Sequence, residues 1–252
     1  GKVPGELEQA GVKTFTALIN HSKLSWSEVA PSWQSNASPR AILPRTLSYH
    51  EERDAARLLK AEADKLQTLA ESSKDQVAAR FYRAAAIDAG SPGSRTAIRI
   101  GRQIGELVSQ LKPKLLITTF EGHSWERLAF ANARIAKPGI CCVGYHHAVL
   151  FPMQTAMLQS LDPEFGPVFD PDYILTAGDV TKHAFEKNSN YQAVPILTFG
   201  SCRGSDGIKI ARKPQQDKTC LVLPEGLISE SLALIELAIK SAKLKPDVHF
   251  TI

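Results

Sequence analysis

The chain has 252 residues, a formal net charge of +4 and 43 % hydrophobic against 22 % charged residues, enough to bury a substantial core as one large domain or two smaller ones. Lys and Arg are spread along it, and no helix-turn-helix spacing, zinc finger or RNA-binding aromatic signature occurs, which points away from nucleic acid and suits an anionic ligand or a membrane surface. No apolar run approaches the ~20 residues that span a bilayer, so a soluble chain is expected.

Residues Gly1 to Ala10 read as the interior of a domain, with no secretory or transit signature before them. His21 to Arg45, with Trp26, Trp33 and several prolines and serines, is expected to be irregular and to pack through its aromatics. Tyr49 to Ser72 is charged and alanine-rich, with Ala55, Leu59, Ala63, Leu66 and Ala70 at helical spacing, and a second helix is predicted over Lys74 to Ala89. After Gly90-Ser91-Pro92-Gly93 another helix reaches Leu111, its inner face formed by Ile98, Ile104, Leu107 and Val108, and Pro113 ends it.

From there the pattern alternates. The sequence predicts strand Leu115 to Thr119, helix Ser124 to Ile135, strand Ile140 to Gly144, strand Tyr173 to Thr176, helix Asp179 to Lys187 and strand Ile196 to Phe199. That order implies an α/β, Rossmann-like parallel sheet flanked by helices. Gly204 to Lys218 is polar and reads as a linker; beyond it come strand Cys220 to Leu223, helix Ser229 to Lys243 and strand Val248 to Ile252. The expected organisation is therefore an N-terminal Rossmann-like domain with a helical N-terminal region over 1–203, a linker over 204–218 and the opening β-α-β of a second Rossmann-like domain over 219–252. A lone β-α-β cannot bury both faces of its sheet, so the natural protein is expected to extend past both ends of this chain.

Cys141 and Cys142 are adjacent in a predicted strand and so point to opposite faces, while Cys202 and Cys220 lie far off and no C-x-x-C occurs. Reduced thiols in the cytoplasm are the simplest reading, and structural zinc is not expected.

The chemistry concentrates after the first sheet strand, where Glu121, His123, Trp125, Glu126 and Arg127 lie around the turn at Gly122. Loops at that end of a parallel strand form the ligand-binding edge. Glu121 can accept a proton or stabilise positive charge on a substrate; the bland alternative is a solvated loop acid. Ser124 is expected to cap the next helix and to place Glu126 in its first turn, a structural position. Arg127 can bind a carboxylate or phosphate, or pair with an acid on its own helix. Tyr145, His146 and His147 follow the next strand, so one imidazole is expected to face the same crevice as an acid, base or phosphate ligand. No H-E-x-x-H or helical His pair is present and no metal is expected. Asp170-Pro171-Asp172 precedes its strand and reads as a turn at the far edge. Gly178 and Asp179 follow that strand; Asp179 is expected to be the N-cap of a helix whose start can receive a phosphate. Gly200, Ser201, Cys202 and Arg203 either line the cleft or begin the linker. Neither a P-loop nor G-x-G-x-x-G occurs, and no cofactor is expected.

These motifs together resemble bacterial surface-polysaccharide glycosyltransferases of the two-Rossmann-domain (GT-B) type, including capsule, lipopolysaccharide and Kdo-transferase-like proteins. The matching segments are F-E-G-H-S-W-E-R at Phe120 to Arg127, V-G-Y-H-H at Val143 to His147, F-P-M-Q at Phe151 to Gln154 and P-D-Y-I-L-T-A-G at Pro171 to Gly178, about the middle third of the chain. His146 stands where the pattern has Gln. The resemblance implies transfer of a sugar from a nucleotide-sugar donor to a carbohydrate or lipid-linked acceptor, with Glu121 as acid-base or nucleophile and His147 and Arg127 assisting. It also implies an acceptor-side or catalytic cleft that includes Trp125, Glu126 and Arg127. On this view substrate contacts come from His123, Trp125, Arg127, Tyr145, His146, Gly178 and Arg203, and the protein works in the cytoplasm, at or beside the inner membrane. The second domain, with most of the donor site, continues past Ile252 on this reading. The alternatives are a non-catalytic nucleotide- or sugar-binding module, and a nucleotide-sugar epimerase or hydrolase of the same two-domain form.

Overall fold

The structure is a computed structural model that describes residues 2–20, 24–29, 39–148, 150, 154–159, 162–189, 191, 193–201, 218–224 and 227–251. It divides into two compact units, Gly1–Arg203 and Gly204–Ile252. Both are α/β with parallel strands, the Rossmann-like class the alternation implies.

The first unit opens with helix α1 (Lys2–Gln9), strand β1 (Thr16–Leu18), the short helix α2 (Trp26–Val29) and strand β2 (Arg40–Ile42). β1 and β2 pair in parallel, Thr16 opposite Arg40 and Leu18 opposite Ile42. The expectation of an irregular segment from His21 to Arg45 is corrected here: β2 lies inside it. Three-residue strands give too little alternation to stand out between prolines and serines. Trp33 lies outside the described residues.

Helix α3 (Tyr49–Ser72) begins at a capping box, in which Ser48 Oγ accepts from Glu51 N at 3.3 Å and Glu51 Oε2 accepts from Ser48 N at 3.1 Å. Helix α4 (Gln76–Ala89) starts on Asp75, whose Oδ1 accepts from Val77 N at 2.8 Å. Helix α5 (Pro92–Leu111) starts on Ser91, with Pro92 at the first helical position, where its missing N–H costs nothing. Arg99 of α5 binds both carboxylate oxygens of Glu52 on α3, with Nη2 to Oε2 at 2.7 Å.

Strands β3 (Leu115–Thr119), β4 (Cys141–His146), β5 (Tyr173–Thr176) and β6 (Ile196–Thr198) form one parallel sheet in that order. Helix α6 (Ser124–Ala136) joins β3 to β4, the four-residue helix α7 (Gly166–Phe169) precedes β5, and helix α8 (Asp179–Asn188) joins β5 to β6. Ile100, Ile104 and Val108 of α5 pack with Ala129, Phe130 and Ala133 of α6 and with Cys142, Ile174 and Ile196 of the sheet in one buried cluster. α5 and α6 approach closely because Gly101 and Gly105 present no side chain: a Cβ would lie 2.9 Å from Leu128 Cβ at the first and 3.0 Å from Asn132 Cβ at the second. Gly144 of β4 leaves room in the same way for the buried ring of Phe120, which a Cβ would meet at 2.8 Å. Gly144→Ala should therefore cost about 1–3 kcal/mol of stability, measurable as a lowered denaturant midpoint at constant slope.

β4 ends two residues later than the expected Ile140 to Gly144, because Tyr145 and His146 still pair with Leu175 and Thr176 of β5. In the second unit, strand β7 (Lys218–Leu221), helix α9 (Ile228–Leu244) and strand β8 (Val248–Thr251) form a parallel β-α-β, with Lys218 opposite Val248. β7 starts two residues before the expected Cys220. The linker expected over 204–218 lies outside the described residues except for Lys218, which belongs to β7. Among the described residues no helix is long and apolar enough to cross a membrane.

Candidate functional site

The residues that gather chemistry lie where β3 and β4 end side by side. Phe120 N donates to Tyr145 O at 2.9 Å, so the loops after the two strands leave the sheet together. Glu121 and His147 meet there, with His147 Nε2 3.0 Å from Glu121 Oε1. His123 approaches from the other side, Nε2 to Glu121 Oε2 at 3.6 Å. Glu121 and His147 are both partly buried, and His123 is exposed. The His147 ring stacks on Tyr145, centroids 5.5 Å apart and planes 17° from parallel, and Phe199 packs edge-on against Tyr145 at 5.8 Å. Tyr145 in turn donates its hydroxyl to Gly200 O at 2.9 Å. The loops after β3, β4 and β6 are thereby fastened to one another through Tyr145, which fixes the plane of the imidazole on the carboxylate.

Glu126 shapes the loop that carries Glu121. Its side chain is fully buried, and its two oxygens accept from Glu121 N, Gly122 N and His123 N, all at 3.0 Å, and from Thr119 Oγ1 at 2.9 Å. Burial pushes its carboxyl above the ordinary range, and the donors, led by Glu121 N, pull the other way. Gly122 turns the loop at φ 93°, and a Cβ on it would meet Ala156 Cβ at 2.8 Å. Gln154 closes the other flank by donating Nε2 to Glu121 O at 2.9 Å. Sequence reasoning gave Gln154 no role beyond its place in F-P-M-Q, the signal that could have singled it out. Phe151, Pro152 and Met153 lie outside the described residues.

The helix cap differs from expectation. His123 occupies the N-cap and Ser124 the first helical position, while Glu126 at the third reaches back to the N-cap amide. Glu126 does belong to the first turn, as expected, yet its larger part is to hold the loop before the helix.

Arg127 is held in a network of its own. Its Nε lies 3.1 Å from the buried Asp170 Oδ1, and its Nη2 donates to Leu158 O at 2.6 Å and to Tyr191 OH at 3.0 Å. The acid it pairs with comes from the turn before β5 rather than from its own helix, and Arg127 also lines, with Gly122, His123 and Asp170, a groove of about 500 Å³. Asp172 of the same turn pairs with Arg134 at 3.0 Å and accepts from Cys142 N at 2.6 Å, so Asp170-Pro171-Asp172 is a structural turn at the far edge.

Neighbouring strand residues point to opposite faces, and this separates the two histidines. His147 lies against Glu121, whereas His146 is fully buried, edge-on to Phe185 at 4.9 Å, with Nδ1 2.6 Å from Phe120 O. A carbonyl only accepts, so Nδ1 carries the proton of the neutral ring. His146 is thus a core residue and not a substrate contact. Burial holds its pKa below the ordinary value of 6.5. Between the lowered folded value and 6.5 the unfolded chain binds a proton that the folded chain refuses, so stability falls as pH drops through that window. His146→Gln should flatten that dependence: the unfolding temperature of the native chain is expected to drop more between pH 7.5 and pH 5.5 than that of the variant.

Trp125 packs its ring against the core and, with His123 and Ser124, lines a groove of about 390 Å³ bounded by Asp88 and the start of α5. Gly178 is the N-cap of α8, a correction to the expected Asp179, which is the first helical residue and accepts from Thr198 Oγ1 at 2.5 Å. Arg203 lies outside the described residues. Cys141, Cys142 and Cys220 carry free thiols, and burial raises that of Cys142 to about 11, too high for a nucleophile. The chain matches no family model, no curated protein and no solved structure.

Proposed function

We propose that the protein is a glycosyltransferase of the two-Rossmann-domain type, which moves a sugar from a nucleotide-sugar donor onto a growing surface polysaccharide. The observation that carries this reading is the Glu121–His147 pair, 3.0 Å apart at the ligand-binding edge of a parallel sheet. In the proposed step the acceptor hydroxyl oxygen bonds to the anomeric carbon and its proton passes to the Glu121 carboxylate. The bond from that carbon to the phosphate oxygen breaks, and the nucleotide leaves with the bonding pair. His147, set by Tyr145, orients Glu121, and His123 supports the second oxygen. Charge on the leaving phosphate calls for cations or helix N-termini opposite the base. The start of α8 at Gly178 is one such position. The proposed location is the cytoplasm, on the inner-membrane side.

The test is to incubate the full-length protein with donors differing in nucleotide, with and without a glycan acceptor, and to follow nucleotide release by chromatography. Release that requires both substrates supports transfer. Release or sugar alteration without acceptor would replace transfer by a hydrolase or epimerase. Saturable binding with no turnover would leave a binding module.

A further inference from the structure

Helix α4 carries an exposed patch that has no use inside its unit. Val77, Phe81 and Ile87 are 61 %, 71 % and 78 % exposed on it. Ala84 lies between them, one turn from Phe81 and one turn from Ile87, and is also exposed. Two opposite charges frame this patch along the helix. Arg80 stands four residues before Ala84 and Asp88 four residues after it, so both share its face, and both are exposed. Arg80 makes no hydrogen bond or ion pair among the described residues, and Asp88 Oδ1 accepts a long bond from Ser91 Oγ at 3.5 Å. On α3 the exposed charges pair within the helix, as Lys60–Asp64 and Arg57–Asp54 do. On α4 about 12 Å of helix axis keeps Arg80 from Asp88.

We propose that α4 is the pairing face of a homodimer, in which two copies of the helix cross antiparallel over Ala84. A two-fold axis at Ala84 reverses the helix, so the level of Arg80 on one copy is the level of Asp88 on its partner, and the same holds at the other end. The dimer then gains two Arg–Asp pairs, each spanned by a long arginine stem. Phe81 and Ile87, three residues either side of Ala84, reach a common level in the same way and close an apolar centre, while the small side chain of Ala84 lets the two backbones approach. Charge selects both the occupant and its direction. Helices running the same way would set Arg80 level with Arg80 and Asp88 level with Asp88. A different partner would need the reversed order of base, apolar stripe and acid that a second copy already has. Arg83, about 100° round the helix from Ala84, stays in water at the margin. One helix per copy is a small contact, below about 1,200 Å² in total, so the dimer is weak and reversible. Asp88 also lines the groove of about 390 Å³ shared with His123, Ser124 and Trp125, so pairing brings the partner's Arg80 to the rim of that groove.

The experiment is sedimentation velocity of the full-length protein from about 1 to about 200 μM, at low and high salt and without donor or acceptor. A dimer that grows with concentration and weakens with salt is expected. Phe81→Ser should weaken it about tenfold or more. Arg80→Glu sets acid against acid and Asp88→Arg sets base against base, and each should weaken it by a similar factor. Mixing these two charge variants restores both pairs across the axis, so the mixture should associate about as tightly as the parent while each variant alone stays weak. All three positions are exposed, and the circular dichroism and unfolding temperature of the variants should match the parent. A monomer at every concentration overturns the proposal, as does a dimer indifferent to Phe81 and to both charges. A mixture as weak as its components also overturns it, because Arg80 then does not meet Asp88. Because no sugar transfer is measured, loss of the dimer leaves the proposed chemistry standing, and an inactive Glu121 variant that still pairs leaves the dimer standing.

Discussion

Exchanging Glu121 for Gln is expected to cut acceptor-dependent nucleotide release about a thousandfold while the unfolding temperature stays where it was. The amide keeps the size and can still meet His147, but it takes no proton from an attacking hydroxyl. The fold should not notice, because the Glu121 side chain lies at the crevice rim and its ion-pair partners are His147 and His123. Its backbone, which does the structural work toward Glu126 and Gln154, is untouched. The comparison is a steady-state rate at saturating donor and acceptor together with a thermal melt. Undiminished turnover would remove Glu121 from the chemistry. A glycosyl group found by mass spectrometry on the native Glu121 would make it a nucleophile rather than a base.

The largest effect on stability is expected one turn further on. Glu126→Ala strips the acceptor from three backbone amides and the Thr119 hydroxyl at once. Orphaned buried donors cost about 1–3 kcal/mol each, and not all four are sealed from water, so about 3 kcal/mol in total is a fair expectation. For a unit of this size that lowers the unfolding temperature by about 6–12 °C. Activity should fall as well, since the loop that presents Glu121 loses its anchor. Glu126→Gln tests the charge: one of its two polar ends is a donor facing donors, so most of the loss should remain. A melt within a degree or two of the parent would mean that water replaces the carboxylate without difficulty.

Much of the fold was open to reading because long periodic segments announce themselves. Tyr49 to Ser72 and Leu115 to Thr119 have the bounds their patterns imply, and Ser124 to Ala136 differs by one residue. β1 and β2 were hidden for the opposite reason, since three residues hold barely one alternation. At the site, the meeting of Glu121 with His147 follows from two strand-then-loop patterns close in sequence whose strands pair as neighbours. Which histidine faces the crevice could not be read. It depends on the register of β4 beside β3 and β5, and a shift of one residue exchanges the two faces. Arg127 shows the other limit: its partners Leu158, Asp170 and Tyr191 lie 31 or more residues away, and nothing local to S-W-E-R reports on them.

The carboxylate of Glu126 sits where many nucleotide-binding loops hold a phosphate, at the backbone amides before a helix. Here the chain has supplied its own anion. The amides of Glu121, Gly122 and His123 are already spent before any substrate arrives, so this turn cannot double as a phosphate cradle. It behaves instead as a preset bracket: the loop that carries Glu121 is held by the chain itself, and on the proposed chemistry a substrate phosphate would find its counter-charge on another loop.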